Sequence, residues 1–320
     1  MIDRFVLLIG AMKAGTTALY RYLEQHPEIA PSRDKEPEVL SNPEFHPALM
    51  PKYLEQWDWI AGRHRWALEA STGYTKMPVR PSAALPAFAL RRECGAEFRF
   101  LYMVRDPIAR IRSHYLHALA EGWLERGIRE EFNPRPLLFS NYHFQLAPYL
   151  AAHERQRIHV MSYEDFQRRP LEVARGVARF LEIDASFEFH DTGPQNSSEH
   201  FRAKLLGRLI NRSGVLREPL DLAACAQRPY RELRTVLGAL LEGCGSSRSV
   251  AEFERELDEA ITPTPELVQR IHECLDRDLE RFRDDWGIDV WKTESTKAWS
   301  DVLAPREPSA AARSAWLSHA

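Results

Sequence analysis

Cysteine is scarce in this chain. Only Cys94, Cys225, Cys244 and Cys274 occur in 320 residues, and no two are spaced as CxxC. That excludes a cysteine-based zinc module and a disulfide-stapled scaffold, and it favours a reducing, cytoplasmic setting. Long apolar runs are also missing. The first one, Phe5 to Ile9, is far too short for a signal h-region or a membrane span, so a soluble protein with no membrane span is expected. Nor is there an excess of one charge. The 43 Lys+Arg stand against 46 Asp+Glu, a net charge of -3. A uniformly basic nucleic-acid or membrane binder is thereby disfavoured, while a local basic pocket is not. No internal repeat is present.

What is present is ordinary globular composition, 44% hydrophobic and 28% charged. The length suits one large α/β domain or two small ones. RFVLLIG opens the chain with a continuous apolar run ending at Gly10, the pattern of a strand buried on both faces in a parallel sheet. Thr17 to Gln25 reads as a helix with Leu19, Tyr20 and Leu23 on one side, stopped by Pro27. Further strands are expected at Trp66–Glu69, Phe98–Val104 and Arg157–Tyr163. Helices are expected at about 136–153 and 170–182. After the third strand, Asp106 is a suitable N-cap and Pro107 a suitable first helical residue. Ile108, Ile111, Tyr115, Leu116 and Leu119 then recur at helical spacing. Strands alternating with helices predict a P-loop-like, mostly parallel sheet flanked by helices. From 201 to 262 leucine-rich helical stretches replace strands, which predicts a helical cap or insertion. Glu266 to Phe282 is an amphipathic helix. The expected organisation is a single domain over 1–291 and a polar tail over 292–320.

Two turns carry chemistry. Gly10 to Thr17 reads G-A-M-K-A-G-T-T between the first strand and first helix, with glycines spaced as in GxxxxGK[ST]. The usual lysine slot holds Thr16, and the lysine comes three residues earlier, at Lys13. Inside the turn, that ammonium can approach a single phosphate and the bond leaving it. The backbone of Ala14, Gly15, Thr16 and Thr17 forms the rest of the cradle. In the second turn, Arg105 leaves the end of a strand and Ser113 lies eight residues on, in the next helix. Loops at the carboxyl ends of parallel strands gather on one edge, so Arg105 and Ser113 can hold a second phosphate beside the first. Taken alone, a surface ion pair for Arg105 and a bond from Ser113 to its own helix fit this stretch equally well.

With both turns in view, the sequence resembles the sulfotransferases that use 3′-phosphoadenosine 5′-phosphosulfate (PAPS). LLIGAMKAGTTALYRYLEQHP is similar to their 5′-phosphosulfate loop, and LYMVRDPIARIRSHY to their 3′-phosphate motif. RDKEPEVL, ALEASTGY and HVMSYEDFQRRP with ARFLEI resemble stretches of the glycosaminoglycan-type and bacterial branch. The likeness covers about residues 4–200. It departs at Glu38, Val39 and Leu40, where a His and aromatics are usual, and at Ala70, where a lysine is usual.

The resemblance implies PAPS as donor, adenosine 3′,5′-bisphosphate (PAP) as product and no metal. It implies Lys13 as the cation at the leaving phosphate and Glu36 as general base. On composition alone, DKEPE also fits a solvated charge run. Lys35, Glu69, Thr72, Tyr74 and Tyr142 are the candidate substrate residues, although Tyr142 equally fits an aromatic packed under a helix. Asn196 and Ser198 are candidates for closing over the nucleotide. His26, His64, His114 and His117 are rival bases. Trp57, Trp59 and Trp66 fit either a sugar platform or the core. The expected partner is a small-molecule, glycan or natural-product acceptor, not a nucleic acid. A small-molecule P-loop kinase and a non-catalytic nucleotide binder are the competing readings; the missing GK[ST] counts against the kinase.

Overall fold

The computed structural model describes residues 2–192 and 198–291. The expected tail over 292–320 and Asn196 lie outside them. In chain order the strands are β1 (Arg4–Gly10), β2 (Ile29–Pro31), β3 (Trp66–Glu69), β4 (Glu97–Val104) and β5 (Ile158–Ser162). They form one sheet in the order β2-β3-β1-β4-β5, with every pairing parallel. Phe5, Val6, Leu7, Leu8 and Ile9 are all at 0% exposure, as a central strand covered on both faces requires. The chain leaves β1 for β2 at one edge of the sheet, returns to β3 beside β1, then crosses to β4 on the other side. The carboxyl edge between β1 and β4 is therefore a topological switch point, where open α/β sheets hold ligands.

The helices are α1 (Thr16–Leu23), α2 (Met50–Leu54), α3 (Ala84–Cys94), α4 (Pro107–Glu121), α5 (Arg135–Leu138), α6 (Tyr142–Ala152), α7 (Tyr163–Arg168), α8 (Pro170–Phe180), α9 (Ser198–Ser213), α10 (Leu222–Gln227), α11 (Tyr230–Gly243), α12 (Val250–Ile261) and α13 (Pro265–Trp286). α1 packs on α8, while α3 and α13 both pack on α6. β1 and β4 are buried along nearly their whole length, and these two groups of helices supply the cover. α4 starts as its sequence predicts: Asp106 accepts from the Ala109 amide at 2.7 Å, Pro107 follows, and Gly122 ends it at φ 77°.

Three expectations shift. The helix expected over 136–153 is two pieces, α5 and α6. The buried Arg110 side chain is wedged there, its Nε donating to Ser140 Oγ at 2.8 Å and another nitrogen bonding the Pro136 carbonyl. β2 had no signal, being three residues long and ending on a proline at the sheet edge. The last strand stops at Ser162, whose hydroxyl accepts from the Asp165 amide and starts α7 at Tyr163.

The stretch expected to be a cap is α9 to α12. α10, α11 and α12 gather on α9, and α9 lies along α4. Leu233, Leu237, Leu241, Phe253, Leu257 and Ile261 are buried among them. The Arg202–Asp258 ion pair (2.8 Å) and the Ile128 amide bonded to the Ala260 carbonyl (2.7 Å) fasten this group together and to the body. Among the described residues, no helix is long and apolar enough to cross a membrane.

Candidate active site

The loop after β1 has a backbone that few sequences tolerate. Gly15 sits at φ 85°, and a Cβ there would lie 2.5 Å from the Tyr163 ring; at Gly10 a Cβ would lie 2.1 Å from Thr75 Oγ1. The Ala11 amide bonds the Met103 carbonyl at 2.6 Å, tying the loop to β4. Gly15 is the N-cap of α1, and no side chain caps that helix. Its first amides point out of the helix start, the arrangement that binds anions. Ala14 and Thr16 are buried; Thr17 is half-buried.

Lys13, at φ 67°, is half-buried, with its Nζ 5.1 Å from the centre of the Phe201 ring on α9. Burial lowers its pKa to about 8. Glu36 is the charge that most opposes this, and Lys76 adds to the lowering. The ammonium is thus mostly protonated at neutral pH.

Arg105 is fixed from three sides. One guanidinium nitrogen donates to the Lys13 carbonyl at 3.0 Å, and the guanidinium lies 4.5 Å over the Tyr163 ring. Tyr142, completely buried, holds the Arg105 backbone: its hydroxyl donates to the carbonyl at 2.6 Å and accepts from the amide at 3.4 Å. Tyr142 therefore acts on this residue from behind. Ser113 is half-buried on α4, and its hydroxyl bonds no other described residue.

Glu36 sits on the loop that follows β2 and crosses the end of β3. The Ala70 amide donates to the Lys35 carbonyl at 2.9 Å, which seats the loop. Both Glu36 oxygens are held, one by Lys35 Nζ at 2.5 Å and the other by Thr72 Oγ1 at 3.0 Å. Some 38% of the Glu36 side chain stays exposed. Burial pushes its pKa up, but Lys35, the Thr72 hydroxyl and Lys76 outweigh it and leave the carboxyl below its ordinary value.

Thr72 thus reaches the site through Glu36. Glu69 and Tyr74 lie behind it, each at 0% exposure. Burial raises the Glu69 carboxyl to about 8. The Tyr74 and Tyr53 hydroxyls offset this in part, although neither meets hydrogen-bond geometry to it. Of the rival bases, His114 and His117 are near Lys13. Burial, with Arg110 and Lys13 adding, lowers His114 to about 3; burial and Lys13 lower His117 to about 4. His26 is buried against Phe187, and the His64 ring bonds the Ile60 amide on the surface. Trp57 and Trp66 are core residues, at 4% and 1% exposure. Ser198 is exposed at the start of α9.

Three residues of the site had not been singled out in the sequence. Tyr163 separates Gly15 from Arg105, and its place straight after a parallel strand was the available signal. Lys76 follows the 3-10 turn Thr72–Thr75. It acts electrostatically on Glu36, Lys13 and His114. Phe201 reaches Lys13 only because α9 folds back along α4, and no local pattern announces that. Among the described residues no cluster of His, Cys, Asp or Glu is arranged to hold a metal ion.

A parallel sheet with a glycine-bounded loop, an uncapped helix start and a lysine and an arginine at one switch point defines a P-loop-like α/β protein. Residues 3–203 match the sulfotransferase domain family, and the chain belongs to that family. Membership supports a transferase. A bifunctional heparan sulfate N-deacetylase/N-sulfotransferase of Drosophila melanogaster is 25% identical over an alignment 277 residues long, which covers 75% of this chain. The match takes in 26% of that relative, so the chain spans about a quarter of its length. A solved sulfotransferase from Alicyclobacillus acidocaldarius shares 25% identity over 73% of this chain and 99% of its own, with a TM-score of 0.49. Mouse sulfotransferase SULT7A1, solved with PAP, shares 11% identity over 94% of this chain and 89% of its own, with a TM-score of 0.36.

Proposed function

We propose that this protein transfers the sulfuryl group of PAPS to a hydroxyl, or an amine, of an acceptor. The observation that carries this reading is that Lys13, in the loop after β1, and Glu36, in the loop after β2, come to the same edge of the sheet, near enough to act on each other electrostatically. Two consecutive strand-end loops thus supply an ammonium and a carboxylate, and Glu36 is the charge that most supports Lys13. The residues also fit the nucleotide. α1 has no side-chain cap, and Ser113 has a hydroxyl without a partner among the described residues. Lys13 and the backbone of Ala14, Gly15, Thr16 and Thr17 would hold the 5′-phosphosulfate; Arg105 and Ser113 would hold the 3′-phosphate.

PAPS supplies an activated sulfuryl group. The acceptor oxygen forms a bond to sulfur as the bond from sulfur to the phosphate oxygen breaks, and that oxygen keeps the electron pair. Lys13 stabilises the charge growing there. Glu36, ionised at neutral pH and held by Lys35 and Thr72, accepts the acceptor's proton. Phe201 keeps water from one side of the Lys13 ammonium.

The test is mass spectrometry of a panel of alcohols and amines incubated with the protein and PAPS, and in parallel with ATP and magnesium. Sulfated product with PAPS supports the reading. Phosphorylated product in the second arm alone replaces it with a kinase, and no product in either arm points to a nucleotide binder.

A further inference from the structure

In-line sulfuryl transfer puts three atoms in a row: the attacking oxygen, the sulfur and the phosphate oxygen that leaves. Glu36 would stand beside the attacking oxygen and Lys13 beside the leaving one. Neither faces the sulfur from the side, where its other oxygens point. One side chain is held in that direction. Lys76 follows the 3-10 turn Thr72–Thr75 beyond β3, and this turn touches both ends of the row. Thr72 Oγ1 donates to Glu36, and Thr75 Oγ1 donates to the Ile9 carbonyl at 2.8 Å, just before the phosphate loop begins. The residue after Lys76 is clamped as well. The Gln145 side chain, itself fully buried, accepts from the Met77 amide at 3.0 Å and donates to the Met77 carbonyl at 2.8 Å. The Lys76 backbone is thus fixed between the loop of Glu36 and the loop of Lys13.

Its charge is not spent inside the protein. The Lys76 ammonium makes no hydrogen bond or ion pair with any described residue. The carboxylates nearby are already committed: Glu36 to Lys35 at 2.5 Å, Glu121 to Lys204 at 2.7 Å, and Glu38 to Arg80. Both Lys13 and Glu36 nevertheless feel the Lys76 charge. Burial lowers the pKa of Lys76, which Glu36 opposes and Lys35 reinforces. Three ammonium groups therefore crowd one carboxylate, an arrangement that costs free energy until an anion lies among them. Lys13 and Lys76 are each half-buried, so part of each stays open to such an anion. Position 70, where a lysine is usual in the family that the sequence resembles, is a fully buried alanine, so no ammonium comes from the strand end itself.

We propose that Lys76 is a further catalytic residue, whose ammonium holds the side oxygens of the sulfuryl group as it passes from the phosphate oxygen to the acceptor. The proposal rests on the sulfuryl-transfer reading, and its test separates the two. The full chain is titrated by calorimetry with PAP and with PAPS, in the absence of acceptor. Only PAPS carries the sulfuryl group. Lys76→Met keeps most of the side-chain length and removes the charge. It should weaken PAPS about ten- to hundredfold, the scale of a hydrogen bond to a charged group. PAP should weaken by no more than about threefold, the scale of a partly screened charge. Lys76→Arg should restore most of the loss, and both variants should melt near the wild type without ligand. At saturating PAPS, turnover of a hydroxyl acceptor that the wild type sulfates should fall in Lys76→Met. Equal losses for PAP and PAPS overturn the proposal and leave Lys76 a general charge of the site. Unchanged PAPS affinity overturns it too, even where the profile of rate against pH moves, since Lys76 then acts only on the charges of Lys13 and Glu36. Failure of the wild type to bind either nucleotide overturns the donor reading, and this proposal with it.

Discussion

Glu36→Gln isolates the proposed proton transfer from the packing around it. The amide is nearly the size of the carboxylate. It can still accept from Lys35 Nζ or from Thr72 Oγ1, the two groups that hold Glu36 at 2.5 and 3.0 Å. Because 38% of the Glu36 side chain faces water, losing the ion pair with Lys35 should cost stability only about 0–1 kcal/mol. Turnover is another matter. Removing a general base commonly costs about 10²–10⁴-fold. A second effect follows from Lys13. Its pKa is about 8 because burial lowers it while Glu36 opposes the lowering. Without that carboxylate charge the pKa falls further, so Lys13 deprotonates at lower pH. The alkaline limb of the rate profile should move to lower pH, while PAP affinity measured near pH 6, with Lys13 still protonated, stays as in the wild type. The assay is initial rate against pH with a hydroxyl acceptor at saturating PAPS, beside calorimetry with PAP. A variant within about threefold of wild type, with an unmoved alkaline limb, would refute the reasoning and leave Glu36 a loop charge.

Other outcomes follow from the same geometry. Arg105→Ala should weaken PAP by about 2–5 kcal/mol and AMP little, since only PAP carries the 3′-phosphate; equal losses by calorimetry would remove Arg105 from that role. Lys13→Ala should lower turnover by about 10²-fold or more while melting near the wild type without ligand; undiminished turnover would take Lys13 out of the mechanism. Glu69 has a folded pKa raised from 4.5 to about 8, so the folded state holds a proton that the unfolded state has lost between those values. Wild-type stability should therefore fall as pH rises through that window, by at most about 1.4 kcal/mol per pH unit from this group. Denaturant melts of Glu69→Gln should lack that component, and identical pH slopes would show that Glu69 does not carry it.

The sheet was readable because its signals are local. The Trp66–Glu69 strand falls where its apolar run places it, and Asp106 with Pro107 starts α4 as the capping pattern says. The phosphate loop was readable for the same reason, since strand, glycines and helix follow one another directly. What the sequence hid depends on distant partners. Glu69 and Tyr74 stand at the carboxyl end of a strand, where pocket residues gather, yet this strand is covered on both faces and they are sealed beneath the loop that carries Glu36. The break between α5 and α6 needs Arg110 from another helix. Phe201 over Lys13 needs α9 folded back along α4.

α4 joins these two kinds of information. The loop before it carries Arg105, its second turn carries Ser113, its last turns carry His117, and Trp123 follows directly on its end. Its fifteen residues make a rod about 22 Å long. Because α9 lies along this rod and sets Phe201 over Lys13, a shift of α9 against α4 would change the surroundings of the ammonium while Arg105, at the end of β4, stays where the sheet holds it.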